Sequence, residues 1–494
     1  MFELNDLEIL TRGSVPIVVV ETHEERRVLM AFSKIALGGY HKPLYRWSVT
    51  EGLKRLDVDI AAFIHTAKPV ELFVEIKKTQ KGSIFVLLDF HPFLSDPVHV
   101  RLLKDVALMH AQLDHTIVLL SHRIVIPDEL ARYCARLEFS TPDIDSLQAI
   151  VLDEVRQWQK ENPGSRIQTN RSTLDRLLQN LVGLSSDDAR RLARNAIRHD
   201  GALTEEDLPE VMKAKFELLN QDSTLSFAYE TERFSNVGGL DKLKEWLNLR
   251  TRSFTTGKSP VPGLDPPKGI MLLGVQGCGK SLAAKAVAGT WGVPLLQLDF
   301  GALYNKFHGE TERNLRDSLK TAQVMAPCVL WVDEIEKALG TDAHDGGTSR
   351  RVLGTLLTWL AENRQRVFIV ATANNVESLP PELLRKGRFD EVFFVDLPDE
   401  KTRQTIYDIH LRRRELNPEL VDVETLAKHS DGFSGAEIEQ VIVSAMYAAY
   451  AQHTTASTTH FLTAISATKP LAILMGEKIA GLRHWAAERT VPAN

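Results

Sequence analysis

The first 150 residues alternate short apolar runs with stretches of helical periodicity. The runs cover residues 16–20, 84–88 and 116–120, and they are rich in valine, leucine and isoleucine. Short β-rich runs separated by helices are typical of a parallel sheet covered by helices. Residues 1–150 are therefore predicted to form an α/β domain.

The pattern then becomes helical, and the same order occurs a second time. We interpret residues 151–218 as a helical region and the polar stretch 219–233 as an interdomain linker. Residues 234–400 predict a second α/β domain, and residues 401–494 a second helical region. The repeated order indicates a two-module chain.

An internal duplication would explain this repeated order. Residues 86–89 resemble 330–333, and residues 126–130 resemble 379–383, at similar relative positions in the two halves. Unrelated α/β domains can share such short matches, so both interpretations stay open.

A glycine-rich segment follows the apolar run 270–273. Residues 274–281 read GVQGCGKS and match the phosphate-loop pattern G-x-x-x-x-G-K-[ST]. Glycines let backbone N–H groups converge on an anion, and Lys280 can reach the terminal phosphates. Ser281 would hold Mg²⁺. The segment predicts a nucleotide site.

Polar residues end two later apolar runs. Asp333 and Glu334 follow residues 328–332, and acids at the end of a buried strand are costly unless they have a purpose. Asp333 would position Mg²⁺, and Glu334 would orient and deprotonate the attacking water. Asn374 can bond a water or the γ-phosphate, although a lone asparagine there is otherwise an ordinary turn residue.

Two arginines stand on either side of a glycine, at Arg385 and Arg388. A guanidinium stabilises the negative charge that phosphoryl transfer spreads over the equatorial oxygens. These arginines lie far along the chain from the phosphate loop. We therefore expect them to serve the nucleotide of a neighbouring subunit in an oligomer.

The first half lacks the matching chemistry. Residues 21–25 read ETHEE after the first apolar run, and these carboxylates would repel a triphosphate. Phe90 follows Asp89, so the second acid is missing. We infer a degenerate first module that is kept for structure or recognition.

Seven motifs in this order resemble those of AAA ATPases of the unfoldase and remodelling branch. They occupy residues 234–240, 266–269, 274–281, 332–334, 373–374, 385–390 and 432–437. Because the first half lacks a phosphate loop, the chain also resembles, more narrowly, the uncharacterised AAA proteins of cyanobacteria and algal plastids. The resemblance implies a P-loop α/β core with a helical lid, preceded by a degenerate AAA-like module with its own lid-like helices.

The resemblance also implies roles for individual residues. Val237 and Gly238 would flank the adenine, and Gly435 and Ala436 would close on the nucleotide from the lid. Asn374 would be the first sensor, while Arg385 and Arg388 would act in trans. The residues implied around the phosphates are Gly274, Gly277, Cys278, Gly279, Lys280, Ser281 and Leu282.

A pore loop is implied as well, since such proteins usually assemble as hexamers around a pore. Phe307 resembles the aromatic residue that grips a threaded polypeptide, although an aromatic side chain on a loop is ordinarily just packed. His308 is polar where the family is usually apolar, which would weaken the grip.

Cys278 lies in the amide-lined loop at a helix N-terminus. Such a position is expected to lower the pKa of a thiol and make it reactive toward oxidants, so the ATPase would be redox-sensitive. The simpler interpretation is a small residue that fits the loop.

Composition narrows the function classes. The net charge of −6 argues against a nucleic-acid partner, and three widely spaced cysteines give neither a disulfide framework nor a metal spacing. The N-terminus lacks the pattern of a secretory signal, and no apolar run approaches the length of a membrane-spanning helix. These features predict a cytoplasmic protein without membrane insertion.

We expect Mg²⁺-dependent ATP hydrolysis by a homo-oligomer, a hexamer by the resemblance, coupled to remodelling or threading of a protein client. The alternative is a regulatory adaptor that ATP switches between shapes and that binds a partner through the inactive first half. The two differ at Phe307, because the motor needs this residue and the adaptor should tolerate Phe307→Ala.

Overall fold

The chain was analysed as a computed structural model, which divides it into two compact units, residues 1–207 and 208–494. The structure describes residues 15–37, 42–58, 60–79, 82–165, 167–198, 201–204, 207–219, 224–228, 231–256, 263–304, 311–338, 346–385, 387–417 and 421–494. Within these ranges, no helix is both long and apolar enough to cross a membrane.

The first unit is built on a six-stranded sheet with the order β3-β2-β4-β5-β1-β6. Its strands are β1 (Ile17–Glu21), β2 (Leu44–Ser48), β3 (Gly52–Arg55), β4 (Ile84–Leu88), β5 (Thr116–Ser121) and β6 (Cys134–Glu138). All neighbours are parallel except β3, which runs antiparallel to β2. Ile17 and Val19 pack on one face and Val18 and Val20 on the other, which explains the continuous apolar run.

Helices cover this sheet and continue beyond it. The α-helices are Glu25–Leu37, Pro69–Lys78, Pro97–Leu108, His110–Leu113, Asp128–Ala131, Ile144–Glu161, Arg171–Leu181 and Ser186–Arg198. Short 3-10 helices span Ile64–Ala67 and His91–Ser95. A small parallel pair, β7 (Gln168–Thr169) and β8 (Ala202–Leu203), lies among the last helices.

The second unit contains a seven-stranded sheet with the order β15-β14-β10-β13-β12-β11-β9. Its strands are β9 (Leu225–Ala228), β10 (Gly269–Gly274), β11 (Leu295–Leu298), β12 (Cys328–Val332), β13 (Val367–Ala373), β14 (Glu391–Val395) and β15 (Val491–Pro492). Only β9, at one edge, is antiparallel to its neighbour. Ile270 packs on one face of the sheet and Met271 on the other.

The helices of this unit fall into an α/β group and a lid group. The first comprises Leu208–Leu219, Asp241–Thr256, Lys280–Trp291, Phe300–Tyr304, Thr311–Val324, Ile335–Ala338 and Gly346–Glu362, with a 3-10 helix at Phe234–Asn236. The second comprises Glu400–Arg413, Val423–His429, Gly435–Ala451, Thr458–Ala467, Leu471–Leu474 and Gly476–Ala486. A separate apolar core that includes Tyr407, Phe433 and Phe461 holds the lid together.

The boundaries in the structure differ from the sequence interpretation in two places. β9 lies inside the stretch interpreted as a linker and pairs with β11, while the helix Leu208–Leu219 belongs to the second unit. There, Phe216 joins the core, and Lys215 Nζ donates to the Val324 carbonyl at 2.8 Å. At the other end, β15 leaves the helical region and pairs with β14.

Both sheets share one strand order. The five successive parallel strands of the first unit are β2-β4-β5-β1-β6, and those of the second, apart from the parallel edge strand β15, are β11-β12-β13-β10-β14. When the five strands of each unit are numbered by their order along the chain, they lie side by side in both sheets as 2-3-4-1-5. The predicted α/β class is confirmed, and the shared order supports an internal duplication.

Candidate nucleotide-binding site

The phosphate loop depends on glycine at its first position. Gly274 ends β10 at φ 143°, and an added Cβ would lie 2.0 Å from the Val395 carbonyl oxygen on the neighbouring strand. Gly277 and Gly279 have φ of 77° and 88°, a region that other residues rarely adopt. The helix Lys280–Trp291 starts immediately after them. The loop therefore makes a tight turn beside β14, and its backbone amides lie at the N-terminus of the helix Lys280–Trp291.

Lys280 is buried at the base of this loop. Its Nζ donates to the carbonyls of Gly274 at 2.9 Å and Val275 at 2.8 Å. Burial lowers the pKa of Lys280 to about 8. The ammonium group lies beneath the loop and is bonded to neutral carbonyls. Phosphate oxygens would be stronger hydrogen-bond acceptors for it, because they are negatively charged.

Asp333 accepts hydrogen bonds from two hydroxyl groups. Ser281 Oγ donates to Asp333 Oδ1 at 3.3 Å, and Thr372 Oγ1 donates to the same oxygen at 2.5 Å. Clustered hydroxyl and carboxylate oxygens are the ligand type that Mg²⁺ prefers. Ser281 and Asp333 therefore fit the predicted role of Mg²⁺ ligands.

Glu334 is fixed by its backbone and by its side chain. It adopts φ 48°, and its N–H donates to Thr372 Oγ1 at 3.0 Å. Asn374 Nδ2 donates to Glu334 Oε1 at 3.0 Å, and Lys337 forms an ion pair with the other carboxylate oxygen. The backbone N–H of Asn374 donates to Glu336 Oε1 at 2.7 Å. Asp333, Glu334 and Asn374 thus form one connected polar edge.

The lid reaches this edge through small residues. The Ala436 N–H donates to the Gly277 carbonyl at 3.1 Å. A Cβ on Gly277 would lie 3.1 Å from Ser434 Oγ and 3.2 Å from the Ala436 Cβ, and one on Gly238 would lie 2.7 Å from Ile406 Cγ1. A larger side chain at Gly277 would push the lid away from the phosphate loop. A larger side chain at Gly238 would push the lid helix that contains Ile406 away from residues 237–240.

A cavity of about 530 Å³ lies between these elements. Its volume is in the range of ligand pockets that hold a small organic molecule. Most predicted site residues line it, namely Val237, Gly238, Gly277, Cys278, Gly279, Lys280, Ser281, Leu282, Asp333, Glu334, Asn374, Gly435 and Ala436. Gly274 lies just below, as the strand end whose carbonyl binds Lys280.

The cavity also has walls that were not predicted. Ile406, His410 and Arg413 come from one helix of the lid, and Asn494 comes from the segment after β15. Asn494 Oδ1 accepts from the Leu240 N–H, beside the predicted adenine residues. No local sequence pattern marks these positions, because helical periodicity does not indicate which neighbour a helix faces.

Arg385 and Arg388, the two predicted arginines, are not among the described residues that line the cavity. Arg385 is exposed, and an Arg388 Nη donates to the Leu357 carbonyl. Their action in trans stays a prediction. Phe307 and His308 lie outside the described residues.

The expectation of a reactive Cys278 is wrong as regards its pKa. Burial raises the pKa of the Cys278 thiol to about 12, and the nearby Lys280 ammonium opposes this shift only in part. Desolvation disfavours the charged thiolate, and here it is the larger effect. The interpretation as a small residue that fits the loop agrees better with this geometry.

Comparisons with protein families cover most of the chain. The model described as ATPase family associated with various cellular activities (AAA) matches residues 270–397, and the AAA+ lid domain matches residues 420–463. The SpoVK-like AAA ATPase models match too, with the N-terminal domain at residues 3–139 and the second domain at residues 145–222. The resemblance inferred from the motifs is confirmed.

Individual relatives extend this similarity to the full length. The chain is 37% identical over 488 residues to the "Uncharacterized AAA domain-containing protein ycf46" of Guillardia theta, covering 98% of this chain and 95% of the relative. The protein of the same name from Pyropia yezoensis is 35% identical, with coverage of 98% and 97%. A "Proteasome-activating nucleotidase" of Aeropyrum pernix is 41% identical over 192 residues, covering 37% of this chain and 46% of the relative.

Proposed function

The chain belongs to the AAA ATPase family, and on that basis we propose that it hydrolyses ATP with Mg²⁺ as an oligomer and uses the cycle to remodel a protein client. The observation that carries the proposal is that Lys280, Ser281 and the connected polar edge of Asp333, Glu334 and Asn374 line one cavity. A phosphate cradle, a metal-binding acid and a candidate base are what ATP hydrolysis requires.

Within this edge, the chain supplies binding and positioning. The loop amides and the Lys280 ammonium bind the phosphates of ATP, which replace the carbonyls of Gly274 and Val275 as partners of Nζ. Glu334 orients a water and accepts its proton, with its carboxylate held by Asn374 Nδ2. Thr372 anchors both acids through its hydroxyl.

Ser281 and Asp333 are the residues that would hold Mg²⁺. When bound, the ion would neutralise charge on the terminal phosphates. Ser281 Oγ donates a hydrogen bond to Asp333 Oδ1 at 3.3 Å, so these two oxygen ligands lie side by side.

Two further observations support the oligomer and the protein client. Arg385 and Arg388 are absent from the described lining of the cavity, which agrees with a role at a neighbouring subunit. The similarity of 37% of this chain to a protein named a proteasome-activating nucleotidase supports a protein substrate. A hexamer with Phe307 in a pore loop is the assembly that we propose.

The catalytic assignment is tested with two variants of the full chain. Glu334→Gln should bind ATP like the parent and hydrolyse it at least about 100-fold more slowly, because it removes the base and keeps the shape. Lys280→Ala should lose saturable ATP binding. Calorimetry and phosphate release measure the two effects, with the exposed Glu377→Gln and the helical Lys285→Ala as matched controls. Parent-like turnover in Glu334→Gln would reject Glu334 as the base.

Assembly is tested by mixing inactive subunits. A mixture of Arg388→Ala and Lys280→Ala should recover part of the turnover, since an intact loop then meets an intact arginine across an interface. Mixing Lys280→Ala with Glu334→Gln is the control, because every nucleotide site then stays defective. Recovery in neither mixture, with oligomers present by light scattering, would argue against an arginine acting in trans.

A further inference from the structure

Three potential metal ligands converge at one edge of the first sheet. Asp89, His91 and His122 each offer a ligand atom, and these atoms all lie within 4.8 Å of one another. His91 Nδ1 is 4.0 Å from Asp89 Oδ1, and the two imidazole rings are 5.0 Å apart, nearly perpendicular. A cluster of two imidazoles and one carboxylate is a common donor set for transition metals.

The fold brings these residues together from two neighbouring strands. Leu88 of β4 and Leu120 of β5 are partners in register, so Asp89 and His122 emerge at the same sheet edge. The Asp89 N–H donates to the Leu120 carbonyl at 3.0 Å, and Asp89 adopts φ 49° before the 3-10 helix that starts at His91. A left-handed backbone is uncommon at residues other than glycine, and Glu334 in the nucleotide site adopts it as well.

A hydroxyl group lies at the centre of the cluster. Ser121 Oγ donates to Asp89 Oδ1 at 2.8 Å, and it is 2.9 Å from His91 Nδ1 and 3.3 Å from His122 Nδ1. Ser121 thus orients the carboxylate, as the outer-shell partners of metal ligands do. Its short contacts to all three residues mark the point on which they converge.

We propose that Asp89, His91 and His122 bind a divalent transition-metal ion, for which Zn²⁺ is the probe. Zinc lies about 2.0–2.2 Å from nitrogen and oxygen ligands, so two of its ligand atoms in a tetrahedral site are about 3.4 Å apart. His91 Nδ1 and Asp89 Oδ1, at 4.0 Å, need a small side-chain rotation to reach this separation. Asp89 and His122 are exposed and can rotate to bring in the third ligand.

The proposed ion differs in kind from the Mg²⁺ of the second unit. Asp333 is paired there with the Thr372 hydroxyl, as Asp89 is here with the Ser121 hydroxyl. The first unit adds two imidazoles, and nitrogen ligands favour Zn²⁺ and related ions over Mg²⁺. The ion would tie the 3-10 helix His91–Ser95 to the segment after β5, giving the unit that lacks a phosphate loop a metal-binding role.

The test is calorimetric titration of the full chain with ZnCl₂ in the presence of millimolar Mg²⁺, which competes at Asp333. We expect one site with a Kd of about 10 μM or tighter. His91→Ala, His122→Ala and Asp89→Asn should each weaken this binding at least about tenfold. The exposed His65→Ala, in the same unit and outside the cluster, is the matched control and should bind like the parent.

A second measurement separates loss of a ligand from loss of the fold. Asp89→Asn keeps an oxygen that can accept the Ser121 bond, so its melting temperature without zinc should match that of the parent. Zinc should raise the melting temperature of the parent and of His65→Ala, and not that of the three ligand variants. The proposal would be overturned if these three substitutions left zinc binding unchanged. It would also be overturned if the parent bound zinc with a Kd above about 100 μM.

Discussion

The two α/β units share a strand order and differ at the edge where chemistry takes place. After β10 the chain forms a glycine loop, whereas β1 ends at Glu21 and leads into the helix Glu25–Leu37. Asp333 and Asp89 each accept a hydroxyl hydrogen bond from the next strand, but Glu334 has no acidic counterpart beside Asp89. The strand framework is thus shared, while the loops decide which ligand each edge can accept.

The same edge is also closed by different groups. In the first unit, Glu21 Oε1 accepts from the Ile124 N–H at 2.7 Å, and buried Glu24 accepts from the N–H and Oγ of Ser186. In the second unit, a backbone carbonyl, that of Gly277, accepts from the Ala436 N–H. Side-chain carboxylates fill the first edge, whereas backbone contacts leave the second edge free for an anion.

The largest effect is expected from Gly274→Ala. The new Cβ would meet the Val395 carbonyl oxygen at 2.0 Å, so the second unit should lose about 3 kcal/mol or more of stability. Gly279→Ala is the control, because its backbone is also left-handed and nothing lies within 4 Å of an added Cβ. Hydrogen exchange in β10 and the following helix measures both changes. Equal costs in the two variants would mean that backbone conformation, not contact with β14, explains the need for glycine.

A smaller effect is expected from Glu24→Ala in the first unit. Removing the carboxylate leaves the Ser186 N–H without its acceptor at the start of the helix Ser186–Arg198, a loss of about 1–2 kcal/mol. Exchange in the first turn of that helix should accelerate about tenfold. The exposed neighbour variant Glu25→Ala should exchange like the parent there. No difference between the variants would remove Glu24 as the group that closes this edge.

The smallest effect is a pH dependence of ATP binding. The pKa of Lys280 is lowered to about 8 by burial, and bound phosphates would raise it again, so binding takes up a proton above that pH. The affinity for ATP should therefore fall about fivefold as pH rises from 8 to 9. Lys280→Arg should show a flat profile, since a guanidinium does not titrate in this range. If the affinity of the parent for ATP did not change over this pH range, binding would not depend on the charge of Lys280.

Much of the fold could be predicted because the central strands are apolar at every position. Residues 17–20, 84–88 and 270–273 bury both faces, so a continuous apolar run marks them without any knowledge of their neighbours. β9 and β15 could not be found in this way. They are short edge strands that gain their hydrogen bonds from β11 and β14, which are distant in sequence.

The candidate site also contains some residues that a local sequence pattern marks and others that only packing brings together. Adjacent residues were enough to identify the phosphate loop, the paired acids after β12 and the loss of both features in the first half. Three contacts appear only in the folded chain: Thr372 binds Asp333, Asn494 reaches the cavity, and Ser121 joins two histidines to Asp89. It also reversed the expected pKa shift of Cys278. Strand register and burial set these relations, and both depend on packing between segments that are far apart along the chain.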